Sequence, residues 1–237
     1  MSLALHRIRN GLRHPRKSLE YVLLGSAKFK LIYGPEQLRD TCDQWKPVNT
    51  LEHHMTSATD IHEHLATLWM LAVEYRCLRV LELGTRSAES TIALLLAAKR
   101  NGGQVTSIDT DACLEARRAI ARLNLTDYWS FIQQNDLQVD WRLPIDFLFV
   151  DTSHAFEQTF KELERFEPHI VDGGIIVMHD IVTYPTCHDA IMQYIDGRAD
   201  LRLYRYLNNN GLAIIFKGNP RIGNQQGQQS SLPNSGL

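Results

Sequence analysis

Val80-Leu81-Glu82-Leu83-Gly84-Thr85-Arg86-Ser87-Ala88-Glu89-Ser90-Thr91 decides the reading of this chain. The apolar run from Leu78 to Leu83 ends in a glycine and a polar turn, and Ile92 to Ala98 then reads as a buried helix. That is a strand, a tight loop and a helix N-terminus. The first N–H groups of a helix have no partner inside it and point into the preceding loop, where they suit a ligand. Gly84 lets a ligand approach the backbone closely. The stretch is not the dinucleotide fingerprint, because one glycine stands where G-x-G-x-x-G has three. Glu82 would repel a pyrophosphate and suits a ligand with hydroxyls or a positive charge, which argues against a nicotinamide oxidoreductase.

Outward from this stretch, strands alternate with helices. The helix after Asp60 keeps one apolar face through Leu65, Leu68, Trp69, Leu71 and Ala72, with Asp60 and Glu63 spaced as a capping box. Strands are expected at 80–83, 104–108, 129–133, 147–150 and 174–178, and helices at 87–100, 111–123, 156–166 and 189–195. Alternation of this kind means a parallel sheet covered on both faces. The end differs: 201–206 and 212–216 are joined through Asn208-Asn209-Asn210-Gly211, a hairpin signal. The fold class is therefore α/β, a doubly wound seven-stranded sheet, mostly parallel, closed by a C-terminal antiparallel hairpin.

Residues 1–50 form a basic, helical N-terminal arm, 51–218 the folded domain, and 219–237 a Gln/Ser/Gly/Asn tail expected to be disordered. Arg7, Arg9, Arg13, Arg16, Lys17, Lys28 and Lys30 face only Glu20 within residues 1–30. The arm reads as packing on the domain or on a second subunit. A basic surface for an anionic lipid headgroup or a phosphorylated substrate is the sharper alternative.

With 237 residues, 44% of them hydrophobic, the chain can bury a proper core. A net charge of −2 provides no global attraction to nucleic acid. Cys42, Cys77, Cys113 and Cys187 form no C-x-x-C pair and suit free thiols in a reducing cytoplasm. No stretch of about 20 apolar residues is available to span a membrane.

In an open α/β sheet, ligands lie beyond the carboxyl ends of the strands, near the switch in strand order. Those ends carry Glu82, then Asp109, then Asn135 and Asp136, then Asp151 with Ser153 and His154, then His179 and Asp180. So many carboxylates at one edge carry a desolvation cost that a purely structural sheet has no reason to bear. Asp109 lies 25 residues beyond Gly84, a spacing that suits a carboxylate accepting from two ribose hydroxyls. The plainer reading of Asp109 is a helix N-cap.

These residues, with Val150-Asp151-x-x-His154 and Gly173-Gly174 leading to His179-Asp180, resemble class I S-adenosylmethionine-dependent methyltransferases, a Rossmann-like fold. The resemblance covers about residues 55–217. Within that superfamily it points to small-molecule O-methyltransferases, the branch of macrolide-sugar and cephalosporin-biosynthesis enzymes, and more distantly to catechol O-methyltransferase. It implies S-adenosylmethionine as cofactor, with Gly84, Thr85 and Ser87 lining its methionine part and Ser90 on its carboxylate. Glu82 would sit near the sulfonium, Asp109 on the ribose, and Asn135 or Asp136 beside the adenine. Ala88 stands where relatives often have glycine, and fits if the backbone there is helical.

Asp151, Asp180 and His179 form an expected divalent-cation site, with hard oxygen ligands suited to Mg2+ and a histidine suited to a softer metal. The resemblance makes His154 the candidate general base, with Asp151 beside it, and an imidazole near neutral pKa is suited to that task. Tyr184 and His188 are expected on the substrate side, and His53, His54, His62 and His64 as solvated or mouth residues. The reaction implied is methyl transfer to a hydroxyl of a small molecule or sugar. A non-catalytic domain that binds the cofactor or a partner is the alternative.

Overall fold

A computed structural model describes residues 59–219. The expectations for the basic arm and most of the tail lie outside the described residues.

The seven strands are β1 (Arg79–Leu83), β2 (Gln104–Asp109), β3 (Trp129–Gln133), β4 (Ile145–Val150), β5 (Ile170–His179), β6 (Leu201–Tyr206) and β7 (Leu212–Lys217). The helices are α1 (Leu65–Glu74), α2 (Glu89–Asn101), α3 (Leu114–Arg122), α4 (Phe156–Phe166) and α5 (Pro185–Ile195). The strands form one sheet in the order β3-β2-β1-β4-β5-β7-β6. The first five run parallel, and β7 lies antiparallel between β5 and β6. This is the expected doubly wound sheet with its terminal hairpin.

Successive strand side chains point to opposite faces, so each central strand feeds two cores. Phe147, Phe149, Ile175 and Val177 pack with the buried faces of α1 and α2. Leu148, Val150, Ile176 and Met178 pack on the other side with Leu163, Phe166 and Ile191 from α4 and α5. Strands buried on both faces read as continuous apolar runs, which is why β4 is Ile-Asp-Phe-Leu-Phe-Val. Its one charge, Asp146, sits at the start of the strand, where Arg79 reaches it at 2.6 Å and the Leu78 and Arg79 N–H groups donate to it.

Order reverses between β1 and β4, whose carboxyl ends are Leu83 and Val150. Two loops diverge there, which opens the crevice where such sheets bind ligands. Gly84 is essential to that junction. Its φ is +89°, and a Cβ there would collide with the Asp151 carbonyl oxygen. The backbone that approaches Gly84 is therefore the end of β4, a requirement added to any made by a ligand.

Two local expectations change. Asp60 does not cap a helix, because a 3-10 turn over His62–His64 precedes α1 and no side chain caps either element. Asp60 pairs instead with Arg86 at 2.8 Å. Ala88 is not helical: its φ of +73° and ψ of 25° place it in the left-handed region, immediately before α2. That conformation disfavours an L side chain, which accounts for glycine being the commoner choice in such a loop.

Candidate active site

The loop after β1 runs from Gly84 to Ala88, and Asp109 at the end of β2 holds it. Asp109 Oδ2 accepts from the Thr85 N–H at 2.8 Å and the Arg86 N–H at 3.2 Å, and Oδ1 accepts from the Asp111 N–H at 2.9 Å. Partial burial alone would raise its pKa, but these N–H bonds outweigh it and hold the carboxyl below its ordinary value. A half-exposed, ionised carboxylate with lone pairs left over can accept ribose hydroxyls. Ser87 is half-buried in the same loop, and Thr85 is buried with its hydroxyl unpartnered. No side chain caps α2, so its first N–H groups face the loop uncapped.

Glu82 is not on this surface, which corrects its expected place beside a sulfonium. Its carboxylate has no exposed area and accepts from Ser90 Oγ at 2.7 Å, Thr91 Oγ1 at 2.8 Å and Ser107 Oγ at 2.6 Å. The Trp129 indole N–H completes the network by donating to Ser107 Oγ. Burial pushes the Glu82 carboxyl up to about 7 against the pull of the three hydroxyls. Glu82 thus ties β1 to α2 and β2 from beneath the loop. Ser90 is corrected with it, because its single O–H is committed to Glu82 and it is 6% exposed.

After β3, Asn135 is exposed and its side chain accepts from the Leu137 N–H. The Asp136 side chain is instead buried against Gln158, whose amide also donates to Glu162. Glu162 in turn accepts from Thr152 Oγ1 at 2.6 Å. Burial, then the neighbouring Asp136, push the Glu162 carboxyl well above its ordinary value. Nothing in the spacing of Asp136, Thr152 and Glu162 signals this cluster, because three separate elements bring them together.

A second group of polar side chains comes from the ends of β4 and β5. His154 Nε2 lies 2.8 Å from Asp180 Oδ2 and 3.5 Å from Asp151 Oδ1. One donor atom from each of Asp151, His154 and Asp180 falls within 4.8 Å of the others. Despite its proximity to Asp180, His154 Nε2 has no aligned hydrogen bond, and neither has Asp180 Oδ1. Buried polar atoms that converge without aligned hydrogen bonds fit a cation between them. Asp180 is held at a φ of +66°, an unusual conformation for a side-chain-bearing residue and one that clusters at functional sites. A small cavity lined by Asp151, Ser153, His154, Thr159, His179 and Cys187 has room for about one water.

His179, expected as a ligand, lies outside the three grouped donors, though its Nδ1 faces Asp151 and Asp180 without an aligned hydrogen bond. It is buried behind the cluster, with Nδ1 3.5 Å from Asp151 and Nε2 3.1 Å from the Asn209 carbonyl. His154 takes its place in the donor set. The neutral imidazole expected at His154 is also corrected. Burial would lower its pKa, but Asp151 and Asp180 raise it to about 9, so without a cation the ring is protonated at pH 7. His179 is likewise raised to about 9 against burial by Asp151 and Asp180, and Asp151 is driven well below its ordinary value by the two rings. Tyr184 stacks on His154 at 4.2 Å, within reach of the same site, while His188 Nε2 accepts from Arg205 at 2.6 Å.

The hairpin turn is a further part of the site that its turn-like composition did not reveal. Asn209 is 2% exposed. Its side chain accepts from the Glu63 N–H and donates to the Thr59 carbonyl, while its own carbonyl meets His179. The Asn208 carbonyl meets His64 Nε2, and the Asn210 carbonyl accepts from the Val182 N–H. His64 is therefore buried, not a solvated mouth residue. Burial, then the neighbouring His179 charge, lower its pKa to about 3.

Residues 81–181 match a family described as "Methyltransferase domain". Solved structures share the fold. One is the O-methyltransferase of tomaymycin synthesis from Streptomyces achromogenes, in complex with S-adenosylmethionine: 18% identity, TM-score 0.52, 66% of this chain and 80% of that one. Another is the O-methyltransferase from Bacillus cereus in complex with S-adenosylhomocysteine: 18% identity, TM-score 0.56, 77% and 96%. A third is the S-adenosylhomocysteine-bound methyltransferase from Podospora anserina: 13% identity, TM-score 0.58, 78% and 95%.

Proposed function

We propose that this chain, whose residues 81–181 match a methyltransferase-domain family, moves a methyl group from S-adenosylmethionine to a hydroxyl of a small molecule or sugar. The observation that carries the oxygen acceptor is the trio Asp151, His154 and Asp180 beside the loop that follows β1. In the reaction the acceptor oxygen bonds to the methyl carbon as the carbon–sulfur bond breaks, its electron pair going to sulfur and the hydroxyl proton passing to water or to a side-chain base. The protein supplies alignment. Asp109 takes the ribose, the Gly84–Ser87 backbone lines the methionine part, and Asn135 borders the adenine. A small acceptor agrees with a net charge of −2, which gives nucleic acid no general attraction. No helix among the described residues is long and apolar enough to cross a membrane.

Asp151, His154 and Asp180 fit a divalent cation, and one imidazole with two carboxylates favours a first-row transition ion over Mg2+. When bound, it would lower the pKa of the acceptor hydroxyl. His154 is then a ligand and not the base. Its close ion pair with Asp180 favours a second reading: without a cation, His154 is the base, and activity rises with pH toward its value of about 9.

Calorimetry with S-adenosylhomocysteine tests the cofactor. Wild type should bind it and not NAD, and Asp109→Ala should lose ~1.5–3 kcal/mol, the range for hydrogen bonds to a charged group. Wild-type affinity in a folded Asp109→Ala protein would reject the ribose role. Labelled methyl transfer to phenol, sugar and polyketide acceptors, with and without chelator, separates the readings. Full turnover in chelator leaves His154 as base; abolished turnover restored by Mn2+ assigns it as ligand.

A further inference from the structure

We propose that Arg86 is the counter-ion of the cofactor's methionine carboxylate, leaving Asp60 for that carboxylate when S-adenosylmethionine binds. This inference rests on the methyltransferase reading and assigns a binding residue within it.

The methionine end of the cofactor brings a carboxylate into a crevice already lined by Asp109, Asp151 and Asp180. It needs donors, and the serine expected to serve is committed elsewhere. Ser90 carries one hydroxyl proton, which is given to Glu82 at 2.7 Å in a buried network. A carboxylate ligand only accepts, so Ser90 cannot bind it while that bond stands. Beyond the unpartnered Thr85 hydroxyl, two donors suited to an anion remain at the loop. One is the uncapped start of α2, whose N–H groups and dipole favour an anion. The other is Arg86.

Arg86 is placed for this role by its backbone. Its N–H donates to Asp109 Oδ2 at 3.2 Å, the carboxylate assigned to the ribose, so a cofactor on Asp109 lies against the loop that carries Arg86. Its φ is +46°, a strained conformation for an arginine and one that recurs where a protein clamps a ligand. The side chain is 68% exposed and is held by Asp60, itself 34% exposed. An exposed ion pair of this kind is weak and easily exchanged. A planar fork of donors matches a carboxylate better than a surface aspartate in water can use it.

The test compares two ligands by calorimetry. S-adenosylhomocysteine has the amino-acid carboxylate; 5′-methylthioadenosine has the same nucleoside and a thioether sulfur but no carboxylate. Arg86→Ala should weaken S-adenosylhomocysteine about 10–100-fold, the range of a charge-assisted hydrogen bond. It should leave 5′-methylthioadenosine within about twofold. Arg86→Lys should recover part of the loss. Asp60→Asn should tighten S-adenosylhomocysteine by a few-fold, because the ligand no longer displaces an ion-pair partner. A merely structural Arg86–Asp60 pair predicts the opposite, with both substitutions weakening both ligands alike, and that result would overturn the proposal. So would unchanged S-adenosylhomocysteine affinity in folded Arg86→Ala, which would leave the carboxylate to the α2 N-terminus. If wild type binds neither ligand, the methyltransferase reading itself fails.

Discussion

Glu82 carries its charge where no water reaches it, and its partners decide what that does to the protein. Its folded pKa of about 7 lies above the ordinary 4.5, so the folded state holds the proton more tightly than the unfolded chain. Stability from this group is fully present below about pH 4.5 and is lost as pH rises through about 7. The loss amounts to about 3 kcal/mol if no other group compensates. Glu82→Gln should flatten that part of the stability curve, read from urea midpoints at pH 5 and pH 8. An unchanged pH slope in the variant would mean the three hydroxyls keep Glu82 ionised throughout. Gly84 offers a sharper test of the switch point. Gly84→Ala combines a positive φ with a collision against the Asp151 carbonyl, so it should cost more than the ~1–2 kcal/mol of left-handed strain alone. Thermal unfolding measures it, and a loss no greater than the strain would show that β4 can retreat.

At the scale of elements, the hairpin turn between β6 and β7 works as a clasp. Asn208, Asn209 and Asn210 bind the segment ahead of α1, the ring of His179 and the loop after β5. The turn thereby fixes His179, which faces Asp151. Asn209→Ala removes both side-chain bonds and leaves the Glu63 N–H and Thr59 carbonyl unsatisfied, each worth ~1–3 kcal/mol when buried. Hydrogen exchange should then quicken at residues 59–64 and 179–183 while β1 and β4 stay protected. Exchange that quickens uniformly would show that the turn stabilises the sheet as a whole and is no local clasp.

For the whole molecule, the edge where β1, β2, β4 and β5 end is a concentration of charge that only partners stabilise. Asp151 and Asp180 are matched by His154 and His179 in the absence of a metal. A cation bound there stabilises the folded protein by mass action, about 2.7 kcal/mol at a hundred times its dissociation constant. In a domain of this size that corresponds to a rise in Tm of roughly 5–10 °C. Mn2+ should produce the rise in wild type, and neither Asp180→Asn nor His154→Ala should show it. An equal rise in all three would place the ion elsewhere.

The order of elements was legible along the chain because it rests on local signals: apolar runs for strands buried on both faces, period-3.6 stripes for the helices, and a run of asparagines for the hairpin turn. The strand ends that carry Asp109, Asp151 and Asp180 were legible for the same reason, since the residue after a buried run must leave the sheet. Tertiary structure alone decided which way these side chains face. Glu82 and Ser90 belong to the loop stretch by sequence, yet three hydroxyls from two elements turn Glu82 inward and occupy Ser90. His154 follows Asp151 and His179 precedes Asp180 in the sequence, but only packing places one ring among the donors and the other against Asn209. The protonation of His154 is likewise a property of two aspartates from different strands. Spacing reports what a segment can present to an edge. Burial and hydrogen-bond partners that come from distant segments determine what it presents.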